Sequence, residues 1–255
     1  MPNANASRRS ARSLLLLALA SPACVSVIEV PIEIPLQSKL DVSPFRRVLV
    51  AGFVTEPGEQ EVEISTETSR LLQNQLRASS KLQILEPDRP PIHAALETLL
   101  EKLGEGNKLS KQAKEQYRLE ADRVLQDEAF WRRVGEEFGN PLIVTGRVGF
   151  SEQNRSGFQP EERVVRDART GQPRITRGSR YAERKGFTLS ADFYFLDGRS
   201  GQVLHKEKFT EEVLYGEEQK TSPLTSYFEL MDRLLPNFLG VIAPQKVKTT
   251  RVLLK

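Results

Sequence analysis

Residues 46 to 54 have the sequence Arg-Arg-Val-Leu-Val-Ala-Gly-Phe-Val, a nearly continuous apolar run behind two arginines. A strand in a sheet with one buried face alternates apolar and polar residues, whereas a continuous apolar run is typical of a strand in a sheet covered on both faces. The stretch therefore predicts a central strand with helices on both sides of its sheet. Residues 55 to 64 follow with Pro57, Gly58 and four acids, and we expect a surface loop there.

A helix and a second strand come directly after this loop. Ser65-Thr66-Glu67-Thr68 offers hydroxyl groups and an early acid, so we expect a hydroxyl cap at the helix N-terminus. Leucines at helical spacing follow, and Leu82 to Leu85 predicts a short strand. Because strand, helix and strand succeed one another within forty residues, the chain is predicted to have an α/β fold.

The remaining elements support the same fold class. Pro91 to Phe138 is predicted to be mostly helical with a break at Gly104 to Asn107, and Leu142 to Val148 is predicted to be a second buried strand. Phe187 to Leu196 alternates and runs into Asp197-Gly198-Arg199-Ser200-Gly201, which predicts a hairpin with residues 202 to 215. We therefore expect a single domain with a mixed β-sheet flanked by helices, plus a polar hairpin insertion.

The C-terminal part contributes one more helix. Ser222-Pro223 is expected to begin it, and Pro236 is expected to end or kink it because proline lacks the amide proton that a helix interior uses. Residues 247 to 254 have strand-like composition.

The N-terminus has the order of an export signal. Arg8, Arg9 and Arg12 precede a seven-residue apolar run from Leu14 to Ala20, which is far shorter than the ~20 residues that a spanning helix requires. Cys24, the only cysteine, stands where bacterial lipoproteins are acylated, so we predict a signal peptide over residues 1–23 and lipidation at Cys24. Ala18-Leu19-Ala20 would also serve as a cleavage site and would leave a soluble protein that begins at Ser21.

The domain boundaries follow from these patterns. Residues 24–43 are predicted to form an extended tether or an edge strand, because Pro31 and Pro35 interrupt their alternation. Residues 44–255 are predicted to form the α/β domain, with a helical insertion at residues 91–138 and a basic hairpin insertion at residues 151–186.

Removing the signal peptide changes the charge of the protein. Residues 1 to 23 contain three arginines and no acid, so the mature chain has 37 − 3 = 34 basic and 34 acidic side chains. This neutral balance argues against a nucleic-acid partner. Residues 155 to 185 still hold nine basic residues and four acids, a net of +5. This segment either contacts an anionic partner or forms a polar hairpin that is merely solvated. The candidate contact residues are Arg163, Arg166, Arg169, Arg174, Arg177, Arg180, Arg184 and Lys185.

The sequence offers no recognisable catalytic or metal-binding motif. Residues 198 to 202, Gly-Arg-Ser-Gly-Gln, lack the last glycine of a hydrolase nucleophile elbow. His93 and His205 are the only histidines, and we expect them to be surface or rim residues. With a single cysteine, two histidines and no glycine-rich phosphate loop, we predict no catalytic residue, no metal and no cofactor.

Several short stretches, taken in order, resemble a known group of bacterial proteins. Arg47 to Phe53, the helix from Glu67 to Arg77 and Lys81-Leu82-Gln83-Ile84-Leu85 resemble the start of CsgG/TolB-N/LpoB-like periplasmic domains. Pro141 to Val148 and Leu196 to Leu204 resemble a later strand and turn of the same group. The resemblance implies an envelope lipoprotein or periplasmic module that works by binding and assembly.

We therefore predict an exported, lipid-anchored protein of the periplasm, attached to the outer membrane, that acts as a non-enzymatic binding, scaffold or assembly factor. Its expected partners are the membrane, other envelope proteins or cell-wall polymer, and further copies of itself. Two alternatives stay open, namely an oligomeric secretion-channel component and a cell-wall-acting enzyme without a recognisable motif.

Overall fold

The computed structural model describes residues 27–56, 63–103, 110–182, 184–216, 219 and 221–254. The predicted export signal, Cys24 and the predicted helix break at residues 104–107 lie outside these ranges. In chain order the elements are β1 (Val27–Leu36), β2 (Arg47–Val54), α1 (Ile64–Ser79), β3 (Gln83–Leu85), α2 (Pro91–Leu103), α3 (Lys111–Gln126), α4 (Glu128–Glu137), β4 (Leu142–Asn154), β5 (Gly157–Arg166), β6 (Pro173–Ala182), β7 (Arg184–Asp197), β8 (Val203–Gly216), α5 (Pro223–Ile242) and β9 (Gln245–Leu254).

The predicted mixed sheet flanked by helices is confirmed. Five strands pair in the order β3-β2-β4-β7-β8, with β2 parallel to β3 and β4, and with β7 antiparallel to β4 and β8. β2 is buried from Val48 to Val54, as its continuous apolar sequence predicts. β4 occupies the middle of the sheet.

Each face of the sheet has its own apolar core. On one face α1 and α5 pack with side chains such as Leu72 and Leu234 against Val50 of β2 and Phe193 of β7. On the other face α2, α3 and α4 cover Leu49, Ile143 and their neighbours, and Trp131 of α4 is completely buried there. The sheet is thus a central layer between two helical layers.

The predicted hairpin of β7 and β8 is confirmed, and its turn packs closely against α4. The Asp197 carboxylate accepts a hydrogen bond from the Arg199 amide at 3.0 Å. A Cβ added to Gly135 of α4 would lie 1.8 Å from the Gly198 carbonyl oxygen, and one added to Gly201 would lie 2.0 Å from the Glu128 carbonyl oxygen. The helix and the turn approach this closely only because these positions lack side chains.

The expected hydroxyl cap of α1 is wrong. α1 begins at Ile64 with Glu63 as its N-cap and has no side-chain cap, because Ser65 hydrogen-bonds to the backbone of Phe53 instead. Pro236, which was expected to end or kink the last helix, does not end it, since α5 continues to Ile242; a kink at Pro236 stays a prediction.

Residues 27–35 and 246–254 form a separate unit, in which β1 and β9 pair as a two-stranded sheet. Lys246 Nζ of β9 lies 3.6 Å from Glu33 Oε2 of β1. Residues 36–245 form the other unit, which contains the five-stranded sheet and all five described helices. None of the helices in the described ranges combines the length and the apolar composition that crossing a bilayer takes.

Candidate functional site

The basic segment folds as a long two-stranded hairpin, as predicted. β5 and β6 pair at ten positions, from Gly157 opposite Ala182 to Arg166 opposite Pro173, and they pack chiefly against each other. β4 ends two residues before β5, and β7 begins just after β6. We call residues 157 to 182 the ribbon.

One face of the ribbon is apolar and exposed. Phe158 lies opposite Tyr181, and Val164 lies opposite Ile175. These four side chains are 77%, 53%, 70% and 63% exposed in that order, and the two aromatic rings meet edge to face with their centroids 5.4 Å apart. Exposed apolar clusters of this kind on a folded protein are typical of contact surfaces.

The opposite face carries Arg163, Arg174 and Arg180, since register alternates along both strands. Arg163 Nε lies 3.0 Å from Glu161 Oε1, and this hydrogen bond lowers the pKa of the Glu161 carboxyl. Arg174, and Arg166 and Arg169 near the tip, form no ion pair with any described residue. The positive charge of the ribbon is therefore not fully balanced by ion pairs within it.

The structure places six of the eight predicted contact residues on the ribbon. Arg177 belongs to the apolar face, where its Nε lies 2.9 Å from Glu162 Oε1 in a solvent-exposed ion pair. Arg184 and Lys185 belong to the start of β7, and Lys185 Nζ lies 2.8 Å from Glu152 Oε1 of β4. Exposed pairs of this kind contribute little to stability. The role of the eight residues in binding stays a prediction.

A cavity of about 440 Å³ opens at the carboxyl end of β2. The strand has a β-bulge between Val50 and Phe53, with Gly52 at a φ of +90° and packed so closely that an added Cβ would lie 2.6 Å from the Pro90 side chain. Bulges often occur beside functional sites, and the carboxyl ends of parallel strands are common places for ligands. The cavity is lined by the first turn of α1, by α2 and by Tyr117 of α3.

Ser65 and His93 meet at this cavity, 2.6 Å apart between Oγ and Nε2. Ser65 Oγ also lies 2.7 Å from the carbonyl oxygen of Phe53, and His93 Nε2 lies 3.2 Å from the same oxygen. The donor in the contact between Ser65 and His93 is set by the tautomer of the histidine ring. Together these contacts join β2, α1 and α2 at the cavity.

Tyr117 is the most deeply buried polar side chain of the cavity wall, with 7% of its surface exposed. Its hydroxyl makes no hydrogen bond with a described residue, and burial raises the pKa of the phenol. Neither Tyr117 nor the Ser65–His93 contact belongs to a recognisable sequence motif.

The second histidine, His205, belongs to the edge strand β8, which is three strands away from β2 in the sheet. His205 on β8 lies with its Nε2 3.1 Å from Glu207 Oε2, and Glu207 also pairs with Lys39. Within the described ranges no three histidine, cysteine or acidic side chains come together in a way that could hold a metal ion.

Comparison with known proteins leaves the family open. No protein-family model matches the chain, and no curated protein matches it. Among solved structures, lipoprotein GNA1162 from Neisseria meningitidis is 13% identical, with 76% of this chain and 98% of that chain covered and a TM-score of 0.35. The dodecameric PelC from Paraburkholderia phytofirmans is 10% identical, with 85% and 99% covered and a TM-score of 0.35. A neuraminyllactose-binding hemagglutinin homolog from Helicobacter pylori is 9% identical, with 80% and 85% covered and a TM-score of 0.32. These likenesses are too weak to assign a function.

Proposed function

We propose that this chain is a non-enzymatic assembly factor of the bacterial envelope, which is exported, anchored through Cys24 to the outer membrane and exposed to the periplasm. We also propose that the chain belongs to the CsgG/TolB-N/LpoB-like group, which the sequence motifs predict. The observation that carries the proposal is the ribbon, because it presents an apolar face to solvent outside both cores of the domain.

The composition of the ribbon favours a protein as the partner. Phe158 and Tyr181 form an aromatic pair of the kind that anchors interfaces, and arginine is likewise enriched at interfaces. The Glu162–Arg177 ion pair lies between this pair and the Val164–Ile175 pair, so the apolar face is interrupted by charge. Such a face suits a partner surface with two apolar depressions and polar groups between them.

The charge of the ribbon indicates that the partner is acidic. Residues 157 to 182 hold six arginines and three acids, a net of 6 − 3 = +3. Arg174 has no ion-pair partner among the described residues, so a carboxylate of a bound protein can pair with it without breaking an existing ion pair. The partner is therefore expected to be an acidic envelope protein, or an acidic region on another copy of this chain.

Site-specific photocrosslinking in intact cells tests the proposal. A benzophenone amino acid at position 158 or 175 should give a discrete adduct, and the same group at Leu119, an exposed leucine on α3, should not. The adduct from position 158 should weaken when Arg174 is replaced by glutamate, because the ribbon then attracts an acidic partner less strongly. Its mass distinguishes a second copy of the chain from another protein. An adduct at position 119 but none from the ribbon would refute the proposal.

A further inference from the structure

We propose that the edge strand β8 pairs with β8 of a second copy of this chain, antiparallel and across a twofold axis at Thr210. The two five-stranded sheets then continue into one another. This inference does not depend on the role of the ribbon, since the edge belongs to a different part of the domain. It follows from the length of the edge, from the direction of its backbone groups and from the order of the charges along it.

β8 is a long edge strand. It has 14 residues, from Val203 to Gly216, and it pairs with β7 on one side, whereas no described strand pairs with its other side. The edge strand at the opposite side of the same sheet, β3, has only three residues. An edge strand leaves every second pair of amide and carbonyl groups without a partner, and proteins usually keep exposed edge strands short or cover them. The edge of β8 is therefore a surface on which the sheet can be extended.

The even-numbered residues of β8 direct their backbone groups to this edge. Arg233 Nη1 of α5 donates to the Glu212 carbonyl oxygen at 3.4 Å, which indicates that this carbonyl is turned away from β7. Because the direction alternates along a strand, the amides and carbonyls of residues 206, 208, 210 and 214 face the edge as well. The bond from Arg233 is long, so the amide of a second strand can replace it.

Charge selects the register of the pairing. With Thr210 on the twofold axis, Lys208 lies opposite Glu212 of the second copy, and by symmetry Glu212 lies opposite Lys208 of that copy. A shift by two residues in one direction would place Glu207 opposite Glu211, and a shift in the other direction would place Glu211 opposite itself. Like charges directly opposite each other destabilise a pair of strands. The charges that commonly prevent edge-to-edge pairing therefore favour it here in the register centred on Thr210.

The groups of this register are available for the contact. Lys208 is exposed and forms no ion pair with a described residue. Glu212 is exposed as well, and its Oε1 lies 3.2 Å from Arg155 Nη2 in a solvent-exposed pair, which leaves Oε2 for a lysine. The five edge-facing positions from residue 206 to residue 214 would add about ten backbone hydrogen bonds between the two copies. The edge thus matches a second copy in both its backbone groups and its charges.

Sedimentation equilibrium with charge-reversal variants tests the inference. The protein is the predicted mature chain with Cys24→Ser, which should form a dimer. Lys208→Glu places like charges opposite each other twice in each dimer, so it should raise the dissociation constant of the dimer at least tenfold. Lys208→Glu combined with Glu212→Lys exchanges the two charges and should return the constant to within about threefold of the parental value. A chain that stays monomeric over the whole concentration range, or a dimer that Lys208→Glu leaves unchanged, overturns the proposal.

A control variant and disulfide trapping locate the contact. Arg174→Glu on the ribbon should leave the dissociation constant unchanged, which separates this edge from a ribbon that binds another copy. Cys24→Ser removes the only cysteine, so new cysteines can be tested one at a time. Position 210 faces its own copy with Cα atoms about 5.5 Å apart, a distance that a disulfide spans, so Thr210→Cys should link two chains on oxidation. Leu214→Cys, which lies about 27 Å from its copy along the strand, should stay unlinked. Linking through position 214 but not through position 210 refutes the register.

Discussion

Removal of the ribbon should leave the domain folded and equally stable or more stable. The change replaces residues 156 to 183 by Asn-Gly, a dipeptide that forms tight hairpin turns. Arg155 and Arg184 then flank the new turn, and they are already paired, since the Arg155 amide donates to the Arg184 carbonyl oxygen at 2.9 Å. The antiparallel pairing of β4 and β7, which extends to Asn154 opposite Lys185, stays complete.

The expected magnitude follows from what the ribbon buries and what its removal shortens. The large apolar side chains of the ribbon are more than half exposed, so little apolar burial is lost. A connection of 28 residues becomes one of two, and because each doubling of loop length costs about 0.6 kcal/mol, the shortening favours folding by about 2 kcal/mol. Pairing within the ribbon offsets part of this gain, although an isolated two-stranded hairpin is marginal in stability. The free energy of unfolding should therefore change by between zero and about +2 kcal/mol.

Urea unfolding followed by the fluorescence of Trp131 measures this change. Trp131 is the only tryptophan, is completely buried and belongs to α4, away from the ribbon in the chain. The dependence of the unfolding free energy on urea should stay nearly constant, because it scales with the surface exposed on unfolding. A loss of more than about 2 kcal/mol, or a transition that is no longer cooperative, would show that the ribbon is a structural part of the domain and would refute the reasoning.

Three further predictions concern the cores. The Tyr227 hydroxyl lies 2.8 Å from Thr68 Oγ1, which itself donates to a backbone carbonyl, so Thr68→Val should cost about 2 kcal/mol by leaving the buried phenol without an acceptor, and Tyr227→Phe only about 1 kcal/mol. Equal costs in urea unfolding would contradict this assignment of donor and acceptor. Burial raises the pKa of Tyr227 to about 12. Between pH 10 and 12 the unfolded phenol therefore ionises while the folded one keeps its proton, and stability should fall by up to about 3 kcal/mol. Tyr227→Phe should lack this component in unfolding curves measured across that range. Gly135→Ala should cost more than about 2 kcal/mol because its Cβ would overlap the Gly198 carbonyl oxygen, whereas Gly149→Ala, with nothing within 4 Å, should be tolerated; thermal unfolding distinguishes the two.

The fold could be predicted wherever one local cause decides the structure. The apolar run of β2 specifies a strand covered on both sides. Residues 197 to 201 specify a turn, in which the Arg199 amide donates to the Asp197 carboxylate and Gly201 has a φ of +78°. The prediction of a hydroxyl cap on α1 was wrong because residues distant in the chain determine the contacts of Ser65. Ser65 has the right chemistry for a cap, but the Phe53 backbone and His93 compete for its hydroxyl, and both approach it only in the folded chain.

The candidate sites could be predicted only in part. The arginines of the ribbon could be found in the sequence, because counting charges along the chain does not require the pairing of strands. The apolar face could not, because it depends on the pairing that places Phe158 opposite Tyr181. Tyr117 lies in a helix whose pattern predicts burial but does not show that its side chain lines a cavity. Pro236 lies inside α5, and Gln245 Nε2 donates a hydrogen bond to the Pro236 carbonyl oxygen. Helix propensities of single residues do not predict such a contact, because it forms only in the folded chain.

The connection of the ribbon to the sheet has a mechanical consequence. β4 and β7 lead directly into the two strands of the ribbon, and they pair with each other at thirteen positions. A force applied to the ribbon is therefore transmitted through the backbone to the strand in the middle of the sheet. Single-molecule pulling through the ribbon would measure how much force the sheet sustains.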